Sequence, residues 1–332
     1  MGVVAPTCER RTYMLANDGD AFEGETNERP RVHRAHQLVG TAAMIFFQYL
    51  ANGIANGALY SLVSLGFVVI FKASTSVNFA QGAFMVLAAY LATTALSGGL
   101  PFGVVVVLLP LAMAALGFFA YNLLLRRLTG QGFFSVVLVT VGMEILIRAG
   151  VLVWYGPNPR GRARSLPAGQ MKLGDVTIPY VNVIVVAAAL TVSVGFLVFF
   201  KRARLGLFMR GTAENLEAAT AMGVSPSRIY GVAWAIGLGM AGFAGVLYTN
   251  YASSIDLGAT SIGLRAFPAA ILGGIDSAGG AVVGGITLGV LESVVAGYLG
   301  AEYRDAAAFG VMLIVILVRP AGFFGTKELV RV

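Results

Sequence analysis

The sequence predicts an all-α fold: a polytopic transmembrane bundle of about eight or nine helical segments, some broken or re-entrant, with a weak internal repeat. Three observations predict it. Apolar runs near 20 residues recur along the chain, long enough to cross a hydrocarbon core as helix. Charged residues make up 12% of the chain and mean hydropathy is +0.80, whereas soluble domains carry about 25% charged residues. Glycine is abundant, with 43 residues, as expected where helices approach closely in lipid. The runs are continuous rather than alternating, which disfavours a β-barrel.

Residues 1–43 come first. They are polar and mixed in charge, from Arg10 and Arg11 through Asp18, Glu28 and Arg34. Without an apolar core run they are not a secretory signal, and they read as a disordered extension; alternatively, translation starts at Met44. The membrane domain is expected over 44–326, with a short tail at 327–332. Its spans are placed at 44–71, 77–96, 101–125, 133–155, 179–200 and 229–251. A short apolar segment at 263–275 follows, then spans at 279–299 and 306–318. The short segment reaches only roughly 20 Å as a helix, so a broken or re-entrant course is expected.

Basic residues orient the chain. Lys72, Arg126–Arg127, the 201–228 loop and the tail carry the Lys and Arg, so they are expected in the cytoplasm. The loops at 97–100 and 252–262 have neither and should face outward. The loop at 156–178 carries Arg160, Arg162, Arg164 and Lys172 yet falls outside by alternation; its Pro and Gly content suggests an outer cap. The formal charge of +7 is then loop bias rather than affinity for nucleic acid.

Cys8, His33 and His36 are the only Cys and His, and all precede the first span. The membrane body therefore lacks thiol nucleophiles, imidazole bases and most metal ligation. No catalytic residues, metal site or cofactor are expected, and a membrane enzyme is disfavoured.

Two breaks look alike. Asn78, Gln81 and Gly82 open the second span, and Gly273, Gly274, Ser277 and Gly280 separate the short segment from the next span. Paired polar, small-residue breaks in two halves are expected to line a transport path, or else they are unrelated turns. Asn52 and Asn56 are polar groups within the first span, which either line such a path or bond a neighbouring helix. Glu144 and Arg148 share a helix face four residues apart and read as an ion pair turned into the bundle. Glu292 lies mid-span without a local cation, so it faces the bundle or a wet cavity, or is protonated.

The 201–228 loop holds a helix of its own. Thr212 is placed as its N-cap and Gly223 as its end, with Ser225 and Pro226 opening the next span.

The run Asn52-Gly53-Ile54-Ala55-Asn56-Gly57-Ala58-Leu59-Tyr60-Ser61-Leu62, with Val77-Asn78-Phe79-Ala80-Gln81-Gly82, resembles the opening of branched-chain amino-acid ABC transporter permeases. In that family a His is usual where Gln81 stands. Leu272-Gly273-Gly274-Ile275, Tyr303-Arg304-Asp305 and Arg319-Pro320-Ala321-Gly322-Phe323-Phe324-Gly325 are similar to its second half. Within the loop, Glu214 and Glu217-Ala218-Ala219 followed by Gly223 resemble the family's ATPase-coupling motif; the alternative is an ordinary surface helix. The resemblance implies an inner-membrane permease subunit that pairs with a related second permease, two ABC ATPases and a periplasmic solute-binding protein. Relatives move branched-chain and other amino acids, urea and short amides, or aromatic acids. A ribose-type sugar permease and an ion-coupled carrier are weaker readings. Nothing resembles Gly-x-x-x-x-Gly-Lys-Ser/Thr, so ATP is expected on partner chains.

Overall fold

The first apolar run becomes the axis of the protein. A computed structural model describes residues 29–128, 132–161, 165–174 and 176–325, with side chains from residue 44 onward. The expectations for residues 1–28, for Arg162 and Arg164, and for the tail at 327–332 lie outside the described residues. The chain divides into two units, Met1–Ala42 and Ala43–Val332, and the second is the helical bundle.

Eleven α-helices are present among the described residues. Helix α1 runs Arg29–Ser74, so its helical backbone begins ahead of the span expected from 44. Helices α2 (Gln81–Ser97), α3 (Phe102–Ala120), α4 (Phe133–Tyr155) and α5 (Tyr180–Arg202) follow. The short α6 (Arg204–Glu214) and α7 (Leu216–Ala221) precede α8 (Pro226–Tyr251). The chain ends with α9 (Ser261–Gly273), α10 (Ala278–Tyr298) and α11 (Arg304–Val318). Every expected span contains a helix, and among the described residues six helices are long and apolar enough to cross a membrane. The protein is therefore an all-α, multi-pass membrane bundle.

Burial ranks the helices. In α1 the apolar window is 83% buried and in α8 67%, against 17% in α3 and in α4, so α1 and α8 form the interior and α3 and α4 the periphery. Small residues make this possible. A Cβ on Gly289 would collide with the backbone of Gly57, and one on Gly285 would meet Ser61, so α1 and α10 touch backbone to backbone. Gly82 and Gly263 bring α2 and α9 together in the same way.

Two small antiparallel pairs cover the end of the bundle near Tyr49. Strands β2 (Gln170–Leu173) and β3 (Val176–Pro179) form a hairpin, and β1 (Arg160–Gly161) pairs with β4 (Ser254–Ile255). The 156–178 loop is thus folded into a cap, tied to the bundle by Thr177 N–H donating to Gln48 Oε1 at 3.2 Å.

At the opposite end, Lys72 Nζ donates to the Asp276 carbonyl at 2.8 Å, which puts the α9–α10 turn beside the end of α1. The segment after α11 closes over that turn, with Phe323 N–H and Phe324 N–H donating to the carbonyls of Leu272 and Gly273.

Candidate functional site

A polar cavity of about 790 Å³ lies at the cap end, between α1, α5, α8, α9 and α10. Its volume falls within the ~300–1,000 Å³ range of small-molecule sites. Helix α1 supplies one wall through Tyr49, Asn52, Asn56 and Tyr60, spaced three or four residues apart and so on one face. Helix α10 supplies Glu292 and Ser293, α9 supplies Arg265, and α5 supplies Asn182. Tyr248 and Tyr251 come from the end of α8, and Asp256 and Arg304 border the opening. Between α8 and α9, strand β4 and a short 3-10 turn at Leu257–Thr260 line this space.

A chain of hydrogen bonds orders the wall. Asn56 Nδ2 donates to the Tyr60 hydroxyl at 3.1 Å, and that hydroxyl donates to Glu292 Oε2 at 2.6 Å. Asn182 Nδ2 donates to Asn52 Oδ1 at 3.1 Å. Arg265 Nε donates to Asp305 Oδ1 at 2.5 Å. Glu292 is 1% exposed, and its Oε1 has no hydrogen-bond partner among the described residues. A buried carboxylate oxygen without a donor is unfavourable by about 1–3 kcal/mol or more, so Oε1 is a polar atom of this wall that still calls for one.

The sequence-derived path residues divide between the two ends. Asn52 and Glu292 line the cavity together. Asn78, Gln81 and Gly82 do not. Asn78 and Gln81 are fully buried, and their polar atoms are taken up locally. Asn78 Oδ1 accepts from Ala80 N–H, Asn78 Nδ2 donates to Gln81 Oε1 at 3.0 Å, and Gln81 Nε2 donates to the Gly237 carbonyl at 2.8 Å. Gly273, Gly274, Ser277 and Gly280 form the α9–α10 turn, away from the cavity wall. Gly274 has φ +105, and Ser277 caps α10 by accepting from Gly280 N–H at 3.1 Å.

Glu144 and Arg148 do pair, at 3.3 Å. The pair does not face the bundle as expected: the side chains are 22% and 48% exposed, because α4 is peripheral.

The 201–228 loop is built differently from expectation. Thr212 is not an N-cap; it is buried inside α6, its hydroxyl donating to the Phe208 carbonyl. Met209 and Thr212 bury one face of α6, which carries that helix through Gly211 to Glu214. Asn215 then breaks the chain and caps α7, accepting from Ala218 N–H at 2.9 Å. Glu217 lies in the first turn of α7, where a carboxylate favours the helix dipole. At the other end Gly223, at φ +82, donates to the Thr220 carbonyl while Val224 N–H reaches Ala219, a Schellman closure. Ala219 points inward, whereas Glu214, Glu217, Ala218, Leu216 and Met222 are exposed.

Sequence reasoning missed Tyr60, Asn182 and Arg265. A signal existed: Asn52, Asn56 and Tyr60 form a polar stripe on an apolar helix, and Arg265 interrupts an apolar segment. Asn182 gave none, because only folding brings α5 to Asn52.

The family described as "Branched-chain amino acid transport system / permease component" matches residues 49–317. The high-affinity branched-chain amino acid transport system permease protein BraD of Pseudomonas aeruginosa is 29% identical over 301 residues, covering 86% of this chain and 98% of its own. The corresponding permease protein LivH of Escherichia coli K12 is 28% identical over 308 residues, covering 87% and 98%. A probable branched-chain amino acid transport permease protein LivH of Methanocaldococcus jannaschii is 25% identical over 300 residues, covering 85% and 94%. No solved structure matches.

Proposed function

This chain belongs to the family of permease components of the branched-chain amino acid transport system, and from that premise we propose that it is the permease subunit of an ABC importer for branched-chain amino acids. It sits in the inner membrane and provides a path for the solute. ATP is hydrolysed by two ABC ATPase subunits, a second related permease completes the path, and a periplasmic binding protein delivers the solute.

The observation that carries this reading is the polar cavity, with buried Glu292, set inside an otherwise apolar bundle. An intramembrane acid beside a cavity is favoured only where it handles a solute or bonds a neighbour. Our reading adds α2, α9 and α11 to the six long spans, giving nine membrane segments. The basic ends of α1, α5 and the 201–228 loop lie in the cytoplasm, so the cavity opens outward. The exposed α6–α7 pair then faces the ATPase, with Glu214, Glu217, Ala218, Ala219 and Gly223 forming or shaping the docking surface. The breaks at Asn78–Gly82 and Gly273–Gly280 act as packed pivots on which the path opens.

The test is reconstitution of the chain with its two ATPases, second permease and binding protein in proteoliposomes. ATP-dependent uptake of radiolabelled leucine, isoleucine and valine is expected. Uptake of urea or an aromatic acid, with none of the three amino acids, would overturn the substrate assignment.

A further inference from the structure

Resting on the reading of the cavity as the solute path, we infer that it binds the zwitterionic head of an α-amino acid, with Glu292 taking the ammonium and Arg265 the carboxylate, and leaves the side chain unread. The charges come first. Four charged residues line the cavity, Asp256 and Glu292 against Arg265 and Arg304. Two of each sign suit a ligand that carries both signs and no net charge, and they disfavour a purely anionic or cationic one.

The acid has an unsatisfied edge. Tyr60 occupies Glu292 Oε2, and Oε1 is buried with no donor among the described residues. An ammonium supplies three N–H donors and a compensating charge, which is what a buried carboxylate in a bundle lacks. Arg265 gives one of its five N–H groups to Asp305 and turns another toward the Tyr60 hydroxyl, beside Glu292. The N–H groups left over can take a carboxylate. Acid and base thus sit at one locus, as an amino acid's two head groups do.

The walls around them lack an aliphatic slot. Apolar lining is limited to small or isolated residues, chiefly Ala252, Ala259, Ala296 and Ile262. Tyrosine rings offer broad faces that suit leucine, isoleucine and valine alike. A missing methylene in even a shaped apolar pocket changes binding by about 1–3 kcal/mol, and this mostly polar lining offers little aliphatic surface to read it.

The experiment uses the complete transporter complex in nanodiscs, without nucleotide or binding protein. Tyrosine fluorescence is titrated with L-leucine, L-isoleucine, 4-methylpentanoate (no amino group) and 3-methylbutylamine (no carboxylate). Leucine and isoleucine should bind within about threefold of each other, and both analogues at least about tenfold more weakly, the loss of a charged hydrogen-bond partner. Glu292→Gln, which keeps the shape and the Tyr60 contact, should weaken leucine at least about tenfold and erase its advantage over 4-methylpentanoate. Analogues that bind wild type as well as leucine does would overturn the proposal without any variant. So would an assembled Glu292→Gln complex with unchanged leucine binding, or a wild-type complex that transports leucine yet shows no titration. A wild-type complex that transports no amino acid at all would instead count against the importer assignment.

Discussion

At Gly289 a single methyl group has nowhere to go. Its Cβ would fall on the Gly57 backbone, and neither helix can yield without moving α1, the most buried span. Gly289→Ala is therefore expected to destabilise the bundle by about 1–3 kcal/mol through overpacking. Gly279→Ala, with open space around its Cβ, should be close to neutral. Thermal unfolding of the two variants in detergent micelles checks this; equal midpoints would mean that the α1–α10 contact is slack. Single residues differ in how far they can be read. Glu292 was legible because an acid amid apolar helix has few roles. Asn78 and Gln81 misled as cavity-lining candidates, because their polar atoms bond each other and the Gly237 carbonyl, pairings that no spacing rule reveals.

Helix α7 is six residues long, too short to persist by propensity, so its ends hold it. Asn215→Ala should remove about 1 kcal/mol of capping and lower the amount of ATPase that co-purifies with the membrane complex. Glu217→Lys should reduce it further, by placing a cation against the helix dipole and on the exposed face. Unchanged co-purification and uptake in both variants would remove α6–α7 from the docking role. The loop was legible as capped helix but not as two helices. Thr212 and Asn215 are both competent caps, and only the burial of Met209 and Thr212 selects Asn215. Helix α4 carries a second element-level prediction. Glu144→Gln leaves Arg148 without its acid on a peripheral span, a change of up to about 3 kcal/mol on insertion scales. Membrane-inserted protein should fall, and adding Arg148→Leu should restore it. No recovery in the double variant would show that the two charges act separately.

For the whole molecule, composition settled the fold class, and apolar run length located the long helices of the bundle to within a few residues. What could not be read was the arrangement in space: which spans are interior, and which polar residues meet. That depends on glycine contacts between helices far apart in sequence, such as Gly57 with Gly289. The family match begins at residue 49, and residues 43–332 form a unit of their own. A chain starting at Met44 is therefore expected to insert and to support leucine uptake at the full-length rate. Loss of uptake at equal membrane abundance would assign residues 1–43 a role in transport.

The cavity has a floor at Tyr60, and beyond it α1 continues through Leu62, Leu65, Val68 and Ile70, each fully buried. That layer is a low-dielectric wall beneath the cavity. With water filling the cavity, an electrical potential across the membrane drops mainly over these few turns instead of the full bilayer thickness. A unit charge crossing 100 mV involves about 2.3 kcal/mol, and the hydroxyls in this stretch, Ser61 and Ser64, already donate to backbone carbonyls. Below the cavity these buried turns act as a dielectric plug.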